Sequence, residues 1–375
     1  VKKFGGRSIS HNRFGTAKWY LADELETIAT KLNAEKNLHP NELPNHLDLI
    51  TARTEFYEKP SALPTVESSS IKMDLHRRDF TINTLALRLD GDHFGKIFDY
   101  WGGLADLENK QIRVLHALSF VDDPTRLLRA VRFEQRFGFM IEDRTLALMQ
   151  ESLPLVNQIT GSRLRHEFEL ILTEPMAAKM MERLNYLGIL KAIHRNLPWT
   201  KEIAQDIENV NMLEVPSGWS VPVQVEKLTL KQALRIIYWL WGLDEGQLSK
   251  VAIHLRINAK LVNLVKLSTS LKADVEGVCS MSPSQVYHRL ENIPEIAIFA
   301  VFFSNISDAA KNCLSQYVNH YSKVRPQSTG ETLRKRGLPP SEKYGEILGT
   351  LRDAWLDGKI SSHAEELALL DQLMR

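Results

Sequence analysis

The sequence predicts an α+β head followed by an all-helical remainder. Up to about residue 113, short stretches of alternating apolar and polar residues are separated by turn signals, which indicates strands mixed with helices. From about residue 114 helical periodicity dominates, and Pro154, Pro175 and Pro198 break it into segments. A chain of 375 residues is long enough for two or three domains with an ample core.

The head begins with strand and helix patterns that follow one another along the chain. Residues 13–19 and 46–53 alternate like strands, and residues 24–31 have the periodicity of a helix. Residues 85–100 indicate a β-hairpin that turns at Asp90-Gly91-Asp92. The remainder contains an aromatic cluster that is typical of a buried helix, formed by Tyr238, Trp239 and Trp241.

Composition and charge restrict the classes of function. The 47 basic and 46 acidic residues give a net charge of +1, which argues against indiscriminate binding to polyanions, so any contact with nucleic acid must rest on local patches. Cys279 and Cys313 are the only cysteines, too few for a disulfide framework or a cysteine-built metal site, which predicts a reducing compartment. Because no apolar run reaches membrane-spanning length and no signal peptide is visible, we expect a cytoplasmic protein without a membrane partner.

The most highly charged stretch of the head runs from Asp74 to Asp79 and leads directly into an apolar segment. Asp74 is a good helix N-cap, and helical geometry would place Arg77 and Arg78 three and four positions later on its face. Arginine presents a rigid fork of donors suited to phosphate or ribose oxygens, and an aspartate can accept from a sugar hydroxyl. The stretch therefore indicates a nucleotide-binding segment, with a salt-bridged helix start as the alternative.

A second acidic and basic segment opens the first helix of the remainder. Asp122 and Asp123 suit a helix N-terminus, which is the simpler interpretation. Asp123 and Arg126 are three residues apart, and we expect them on the same helical face. A carboxylate beside a guanidinium matches the amine and bare ring nitrogen of cytosine or adenine, and it rejects guanine and uracil. Arginines then recur every three residues as a stripe that could meet phosphates, at Arg126, Arg129 and Arg132.

The order and spacing of these segments resemble the class II nucleotidyltransferases that add the CCA end to tRNA, and the bacterial poly(A) polymerases built on the same plan. Residues 77–83, Arg-Arg-Asp-Phe-Thr-Ile-Asn, resemble their ribose-reading motif, and residues 122–126 resemble their base-selecting motif. The segment from Gly102-Gly103 to Arg113 is similar to their hinge between head and neck, and residues 161–167 to a later neck motif. The likeness extends over roughly residues 5–190.

The resemblance implies an N-terminally truncated nucleotidyltransferase head of the polymerase-β type, followed by a helical neck, body and tail. Residues 1–113 would be the partial head, residues 114–190 the neck that recognises the base, and residues 191–375 the body and tail that bind RNA. The implied activity is template-independent addition of CCA or A residues from CTP and ATP to the 3′ end of tRNA or another RNA. CCA addition, A-only addition and poly(A) synthesis stay open, as does the oligomeric state.

The resemblance also implies roles for particular residues. The nucleotide-binding set would be Arg77, Arg78, Asp79, Asp122, Asp123, Arg126 and Arg129. In this set Arg78 and Asp79 would hold the ribose, Asp123 and Arg126 would read the base, and Asp122 would brace Arg126. Gly102 and Gly103 would form the hinge. Asp48 would be the catalytic carboxylate that helps to place Mg²⁺.

Two departures from the family pattern affect these expectations. The first motif of the family, with its Asp-x-Asp strand, is expected before residue 1. Asp90-Gly91-Asp92 has the same spacing of aspartates, but it is predicted to be a turn and comes too late in the chain to be that motif. Nucleotidyl transfer uses two metal ions about 3.5–4 Å apart, and Asp48 alone cannot hold both, so we expect the chain as it stands to lack most of its chemistry. The second departure is Asp122, where the family usually has Glu, which leaves nucleotide choice open. The alternatives are a non-catalytic RNA- or nucleotide-binding remnant and a helical interaction module.

Overall fold

The computed structural model describes residues 5–11, 15–21, 24, 26–28, 44–56 and 65–374. The chain divides into two compact units, Val1–Gln158, here called the head unit, and Ile159–Arg375, the helical unit. Described strands concentrate in the first unit, whereas the second is built almost wholly of helices. The predicted α+β head with a helical remainder is therefore confirmed, and the finer boundaries at residues 113 and 190 stay a prediction.

The strands of the head unit form small, separate sheets. They are β1 (Arg7–His11), β2 (Thr16–Tyr20), β3 (His46–Ile50), β4 (Arg53–Phe56), β5 (Thr65–Ser68), β6 (Ala86–Leu87), β7 (Ile97–Phe98), β8 (Gln111–Ile112) and β9 (Met140–Ile141). An antiparallel sheet has the order β1-β2-β3, with Lys18 opposite Asp48. The pairs β4–β5 and β6–β7 are antiparallel and β8–β9 is parallel.

Two of the predicted strand segments have clear outcomes. The hairpin around Asp90-Gly91-Asp92 is confirmed, and Gly91 supplies a positive φ of 58° in its turn. The single strand predicted for residues 46–53 is wrong, because the chain changes pairing partner at Thr51 and Ala52. The Thr51 amide bonds back to the β2 side through the Gly15 carbonyl, whereas the Ala52 carbonyl accepts from Ser69, next to β5. Of the helix predicted for residues 24–31, residues 26–28 are helical and the remainder lies largely outside the described residues.

The helices of the head unit surround an apolar core. They are α1 (Ile71–His76), α2 (Gly103–Glu108), α3 (Ser119–Asp122), α4 (Arg126–Phe137) and α5 (Asp143–Ser152). Phe80, Phe120 and Leu127 are fully buried there. The predicted N-cap role of Asp74 is wrong, because the N-cap of α1 is Ser70, four residues earlier, whose hydroxyl accepts from the Met73 amide. Asp74 instead lies inside the helix and is buried.

The helical unit consists of helices joined by short turns. They are α6 (Gly161–Ile171), α7 (Ala177–Tyr186), α8 (Ile189–Ile193), α9 (Lys201–Asn209), α10 (Leu230–Leu240), α11 (Glu245–Leu255), α12 (Ala259–Cys279), α13 (Pro283–Leu290), α14 (Glu295–Phe303), α15 (Asp308–Asn319), α16 (Gly330–Lys335), α17 (Lys343–Leu356) and α18 (His363–Leu373). Two short strands, β10 (Gln224–Val225) and β11 (Leu228–Thr229), pair ahead of α10. The predicted aromatic core is confirmed. Trp239 of α10 donates to the Pro198 carbonyl at 3.0 Å, and Tyr238 donates to that of Ala300 at 3.0 Å.

The two cysteines form a disulfide, which the sequence argument did not foresee. Cys279 at the end of α12 is bonded to Cys313 of α15, with Cα atoms 5.7 Å apart. Two cysteines are too few for a disulfide framework, but they suffice for one bridge where packing brings their two helices together. Within the described part of the chain, no helix combines the length and apolarity that crossing a membrane requires.

Candidate nucleotide-binding site

Asp79 is a buried carboxylate that joins the segment after α1 to helix α4. Its Oδ1 accepts from the Phe80 amide at 3.0 Å and from the Asn83 side chain at 2.9 Å. Its Oδ2 accepts from Nε of Arg129 at 2.9 Å, and the two side chains form an ion pair. Burial alone would raise the pKa of the Asp79 carboxyl, but the charge of Arg129 and these hydrogen bonds hold that pKa below its ordinary value. Asp79 is therefore ionised at neutral pH.

Asp74 holds the two arginines that precede Asp79. It accepts from Nη2 of Arg77 at 2.7 Å, from Nη2 of Arg78 at 3.4 Å and from the Arg53 amide at 3.2 Å. Burial would raise the pKa of the Asp74 carboxyl, but these bonds and the charges of both arginines lower it. The predicted pairing at three and four residues is thus confirmed. The side chain of Arg77 is 20% exposed and that of Arg78 is 42% exposed, so Arg78 is the more accessible to a ligand.

The arginines of α4 do not form the predicted stripe for phosphates. Arg126 is 6% exposed and donates from Nη2 to the Arg77 carbonyl at 2.8 Å and from Nη1 to the Ser119 carbonyl at 3.3 Å. Arg132 is buried as well, and Arg129 forms the ion pair described above. The stripe prediction is wrong because this face of the helix packs into the head unit, where Arg126 ties the start of α4 to the segment of residues 77–79.

Asp123 lies outside the helix that Arg126 begins. Its backbone is extended, with φ −142° and ψ 95°, and its carboxylate accepts from the amide of Thr125 at 3.1 Å and from its hydroxyl at 2.8 Å. The prediction that Asp123 and Arg126 share a helical face is therefore wrong, since only Arg126 is helical. The hydrogen bonds of Asp123 to Thr125 form a turn just ahead of α4, whose N-cap is Thr125.

Asp122 ends α3 and faces a histidine. Its Oδ2 lies 3.7 Å from Nε2 of His116. Burial lowers the pKa of the His116 imidazole, and the charges of His76 and Arg126 lower it further, although the charge of Asp122 acts in the opposite direction. Sequence reasoning missed His116, because no local pattern connects it with a carboxylate six residues later. Its ring also stacks on His76, with centroids 5.4 Å apart.

The segment around Gly102 and Gly103 is closely held. Gly102 has a φ of 75°, and a Cβ added to Gly103 would lie 2.4 Å from the Thr81 carbonyl oxygen. The Asp99 carboxylate caps α2 by accepting from the amides of Gly103 at 2.7 Å and Leu104 at 3.0 Å. A hinge role for the two glycines stays a prediction, and the close packing of Gly103 already explains why one of them has no side chain.

The buried carboxylate Asp106 is another contact that the sequence did not reveal. It accepts from the Thr81 hydroxyl and from Nε of Arg113, the latter at 2.9 Å. Arg113 also donates to the Trp101 carbonyl at 3.0 Å. Asp106 therefore ties α2 to the segment after Asp79, through partners 25 residues earlier and seven residues later in the chain.

Asp48, the predicted metal-binding carboxylate, lies on β3 with its side chain 54% exposed. Its oxygens lie 3.5 Å from Nζ of Lys18 and 3.9 Å from Nε2 of His46. Among the described residues no group of three His, Cys, Asp or Glu side chains is arranged to hold a metal ion. The structure thus joins Arg126 to Arg77 and Arg129 to Asp79 by direct contacts, and Arg78 to Arg77 through Asp74, whereas Asp48 has separate partners.

Comparisons with known proteins agree with the resemblance. The family described as "Poly A polymerase head domain" matches residues 15–113, and the one described as "Probable RNA and SrmB- binding site of polymerase A" matches residues 138–200. An A-adding tRNA nucleotidyltransferase of Geobacter sulfurreducens is 33% identical over the whole chain. The chain belongs to the class II tRNA nucleotidyltransferase family. Proteins of this family are enzymes.

The chain covers a different fraction of the length of each relative. It covers 41% of the Geobacter sulfurreducens protein, and 78% of an A-adding tRNA nucleotidyltransferase of Halalkalibacterium halodurans, which is 29% identical over 97% of the chain. Among solved structures, a CCA-adding enzyme in its apo form II has a TM-score of 0.76 at 28% identity, with 99% of this chain and 82% of that chain covered. The Thermotoga maritima CCA-adding enzyme complexed with tRNA_CCA has a TM-score of 0.69 at 27% identity, covering all of this chain and 82% of that one.

Proposed function

We propose that this chain takes part in adding nucleotides from ATP or CTP to the 3′ end of a tRNA. The observation that carries the proposal is the contact between Asp79 and Arg129, which joins the ribose-reading segment to the helix of the base-selecting segment. The Arg126 bond to the Arg77 carbonyl makes a second link between the same two segments. Two motifs of one nucleotide site, 50 residues apart in sequence, thereby form one hydrogen-bonded unit.

Each residue has a role in this proposal. The exposed guanidinium of Arg78 meets the phosphates or ribose of the incoming nucleotide, with Arg77 beside it. Asp79 orients the ribose-reading segment through its bonds to Arg129 and Asn83.

The base-selecting residues act at the start of α4. Asp123 and Arg126 read the base edge, and Asp122 lies next to them, with the His116 imidazole 3.7 Å away. For Arg126 to reach a base, its guanidinium exchanges at least one of its two backbone carbonyl partners for the ligand.

Mg²⁺ is the proposed cofactor, with Asp48 as one of its ligands. Asp48 is exposed, and its contacts to Lys18 and His46 are weak and screened by water, so its oxygens are accessible to a cation. One carboxylate does not make a two-metal site, and among the described residues no group of three His, Cys, Asp or Glu side chains completes one. Asp48 fits a single ligand position and nothing more.

Within this function, addition of A is favoured over addition of CCA. The A-adding relatives are 33% and 29% identical to the chain, and the CCA-adding enzyme of Streptococcus gordonii is 28% identical over 85% of it. We further propose a cytoplasmic location, because the relatives act on tRNA.

Extension of two tRNAs tests the proposal. The chain is incubated with Mg²⁺ and either ATP or CTP, on one tRNA that ends in CC and another that lacks the whole CCA end. Because Asp48 alone does not hold two metal ions, we expect little extension by the chain as it stands, and any product to be one A added to the CC-ended tRNA. C addition to the shorter tRNA would favour a CCA-adding activity. A chain that binds neither ATP nor tRNA would contradict the proposal.

A further inference from the structure

Five aromatic rings form a continuous row in the head unit, here called the aromatic row. In order, its members are Phe98, Tyr100, Trp101, His76 and His116. Neighbouring ring centres are 5.4 to 5.8 Å apart. The rings of Phe98 and Tyr100 are parallel to within 4°, and Tyr100 is 41% exposed. Tyr100 is thus the exposed ring of the row, and the other four rings are half-buried on either side of it.

The backbone beneath the aromatic row is held in place by polar contacts. Arg113 donates to the Trp101 carbonyl at 3.0 Å, and Asp99 accepts from the Gly103 amide at 2.7 Å. His76 is the last residue of α1, which fixes its ring against that of Trp101. The rings are therefore preorganised before any ligand arrives, which lowers the entropic cost of binding.

Two exposed lysines accompany the row. Nζ of Lys72 lies 5.5 Å from the ring centre of Tyr100, and Nζ of Lys96 lies 5.9 Å from that of Phe98. Partly exposed rings together with mobile ammonium groups are what a single-stranded nucleic acid requires, since bases stack on the rings and phosphates meet the cations. An apolar peptide, by contrast, has no phosphates that the ammonium groups of Lys72 and Lys96 could meet.

The row also ends at the candidate nucleotide site. His116, its last member, lies 3.7 Å from Asp122, and His76 directly precedes Arg77 in the chain. An RNA strand that followed the rings from Phe98 would therefore deliver its terminus to the residues proposed to hold the incoming nucleotide.

We propose that the aromatic row binds the unpaired 3′ end of the RNA substrate by stacking its bases, with Lys72 and Lys96 near the phosphates. The inference rests on the proposed function, because that function supplies both the RNA and the direction of the strand. It adds a surface for the RNA 3′ end to a site whose residues have so far been proposed to bind only the incoming nucleotide.

The test compares RNA binding with nucleotide binding. A labelled short RNA with an unpaired CC end is titrated with the chain and read by fluorescence anisotropy, and ATP is titrated separately by calorimetry. Tyr100→Ala should weaken RNA binding by about five- to a hundred-fold, because one stacking platform is lost, whereas Tyr100→Phe should bind like the wild type. The ATP affinity should stay the same in both variants. Phe94→Ala is the matched control, since Phe94 is an aromatic residue 72% exposed and outside the row.

The lysines provide a second arm that leaves the packing of the rings intact. Lys72→Gln and Lys96→Gln should each weaken RNA binding and reduce the slope of log affinity against log salt by about 0.7, the value for one phosphate contact on a single strand. The lysine variants test RNA binding at the row even if Tyr100→Ala fails to fold.

Three outcomes would overturn the inference. Equal RNA affinity of wild type, Tyr100→Ala and both lysine variants would remove the aromatic row from RNA binding. An equal loss of ATP and RNA affinity in Tyr100→Ala would assign the row to the nucleotide instead. A wild-type chain that binds ATP but no RNA would contradict the proposed function as well, and so would be distinguished from a failure of the row alone.

Discussion

Two buried carboxylates, Asp74 and Asp79, organise the candidate site at the scale of single residues. Both are surrounded by arginine side chains and backbone amides, and both have a pKa below the ordinary value despite burial. Each also bonds to a distant part of the chain: Asp74 to the Arg53 amide and Asp79 to Arg129. The position of residues 74–79 therefore depends on charged groups that must stay ionised.

Removing the Asp79 charge should destabilise the head unit. Asp79→Asn leaves Arg129 without its ion-pair partner in a largely buried position, which should cost on the order of 3 kcal/mol of unfolding free energy. Arg78→Ala is the control, because its pair with Asp74 is 3.4 Å long and its side chain 42% exposed, so that its loss should cost less than about 1 kcal/mol. Urea unfolding of the three proteins measures both changes. Equal costs for the two variants would show that the Asp79–Arg129 pair adds no stability.

The same carboxylate should give the head unit a dependence on acid pH. Because the pKa of Asp79 is lower in the folded than in the unfolded chain, its contribution is fully present above the unfolded value, near 3.8, and is lost as pH falls through the folded value. Asp79→Asn has no such group, so the difference in melting temperature between it and the wild type should shrink from about pH 6 to about pH 3. A difference that is constant over this range would mean that the carboxyl does not titrate with a lowered pKa.

At the scale of elements, the sequence predicted those features that depend on local spacing. The pairing of Asp74 with Arg77 and Arg78 follows from helical geometry and is confirmed. The start of α1 was placed wrongly, because Ser70 competes for the cap and the burial of Asp74 is set by contacts to Arg53 far away in sequence. Spacing also showed that arginines recur in α4, but which side of that helix faces the core is decided by packing.

Gly103 should tolerate no side chain, for a reason of packing between elements. In Gly103→Ala the new Cβ would lie 2.4 Å from the Thr81 carbonyl oxygen, so α2 must shift, at a cost of about 1–3 kcal/mol. Gly349→Ala is the matched control, because Gly349 lies inside α17 with nothing within 4 Å of an added Cβ, and it should gain up to about 1 kcal/mol. Denaturant unfolding followed by circular dichroism measures both. A neutral Gly103→Ala would show that this contact relaxes freely and would favour a mobile hinge.

At the scale of the whole molecule, long-range links decide what the sequence could not show. The disulfide joins Cys279 and Cys313, which lie on two helices and are 34 residues apart in the sequence. No local sequence pattern predicts that these two positions meet. The likeness of the α+β head and the helical remainder to the family was visible from motifs alone, because those motifs are local in sequence. The aromatic row and the contact of Asp122 with His116 appear only once the chain is folded.

The tail helix α17 should be held to α13 in a pH-dependent manner. Hydrogen bonds that the His288 ring donates to Asp353 at 2.9 Å and to Glu291 at 3.2 Å raise the pKa of His288. The Tyr287 ring packs against this imidazole, and the Arg352 guanidinium lies over the Tyr287 ring. Since the folded pKa is raised, the stabilisation is present below the unfolded value, 6.5, and is lost as pH rises through the folded value.

Hydrogen exchange of the α17 amides, corrected for the intrinsic rate, measures this dependence. Protection should fall between about pH 6 and about pH 8.5 in the wild type and should be insensitive to pH in His288→Gln. The same decline in both proteins would assign it to another group.

Titration of the four ribonucleotides tests directly whether Asp123 and Arg126 select the base. Calorimetry on the wild type, Asp123→Ala and Arg126→Ala compares ATP and CTP with GTP and UTP. The wild type should prefer ATP and CTP, and Arg126→Ala should lose about ten- to a hundred-fold in affinity for them, as expected for a charge-assisted hydrogen bond. Asp123→Ala should let GTP and UTP gain on ATP and CTP, because a carboxylate repels their carbonyl groups. Equal affinity of the wild type for all four nucleotides, or an unchanged order of preference in Asp123→Ala with only a lower melting temperature, would contradict base selection and leave Asp123 as part of the turn that precedes α4.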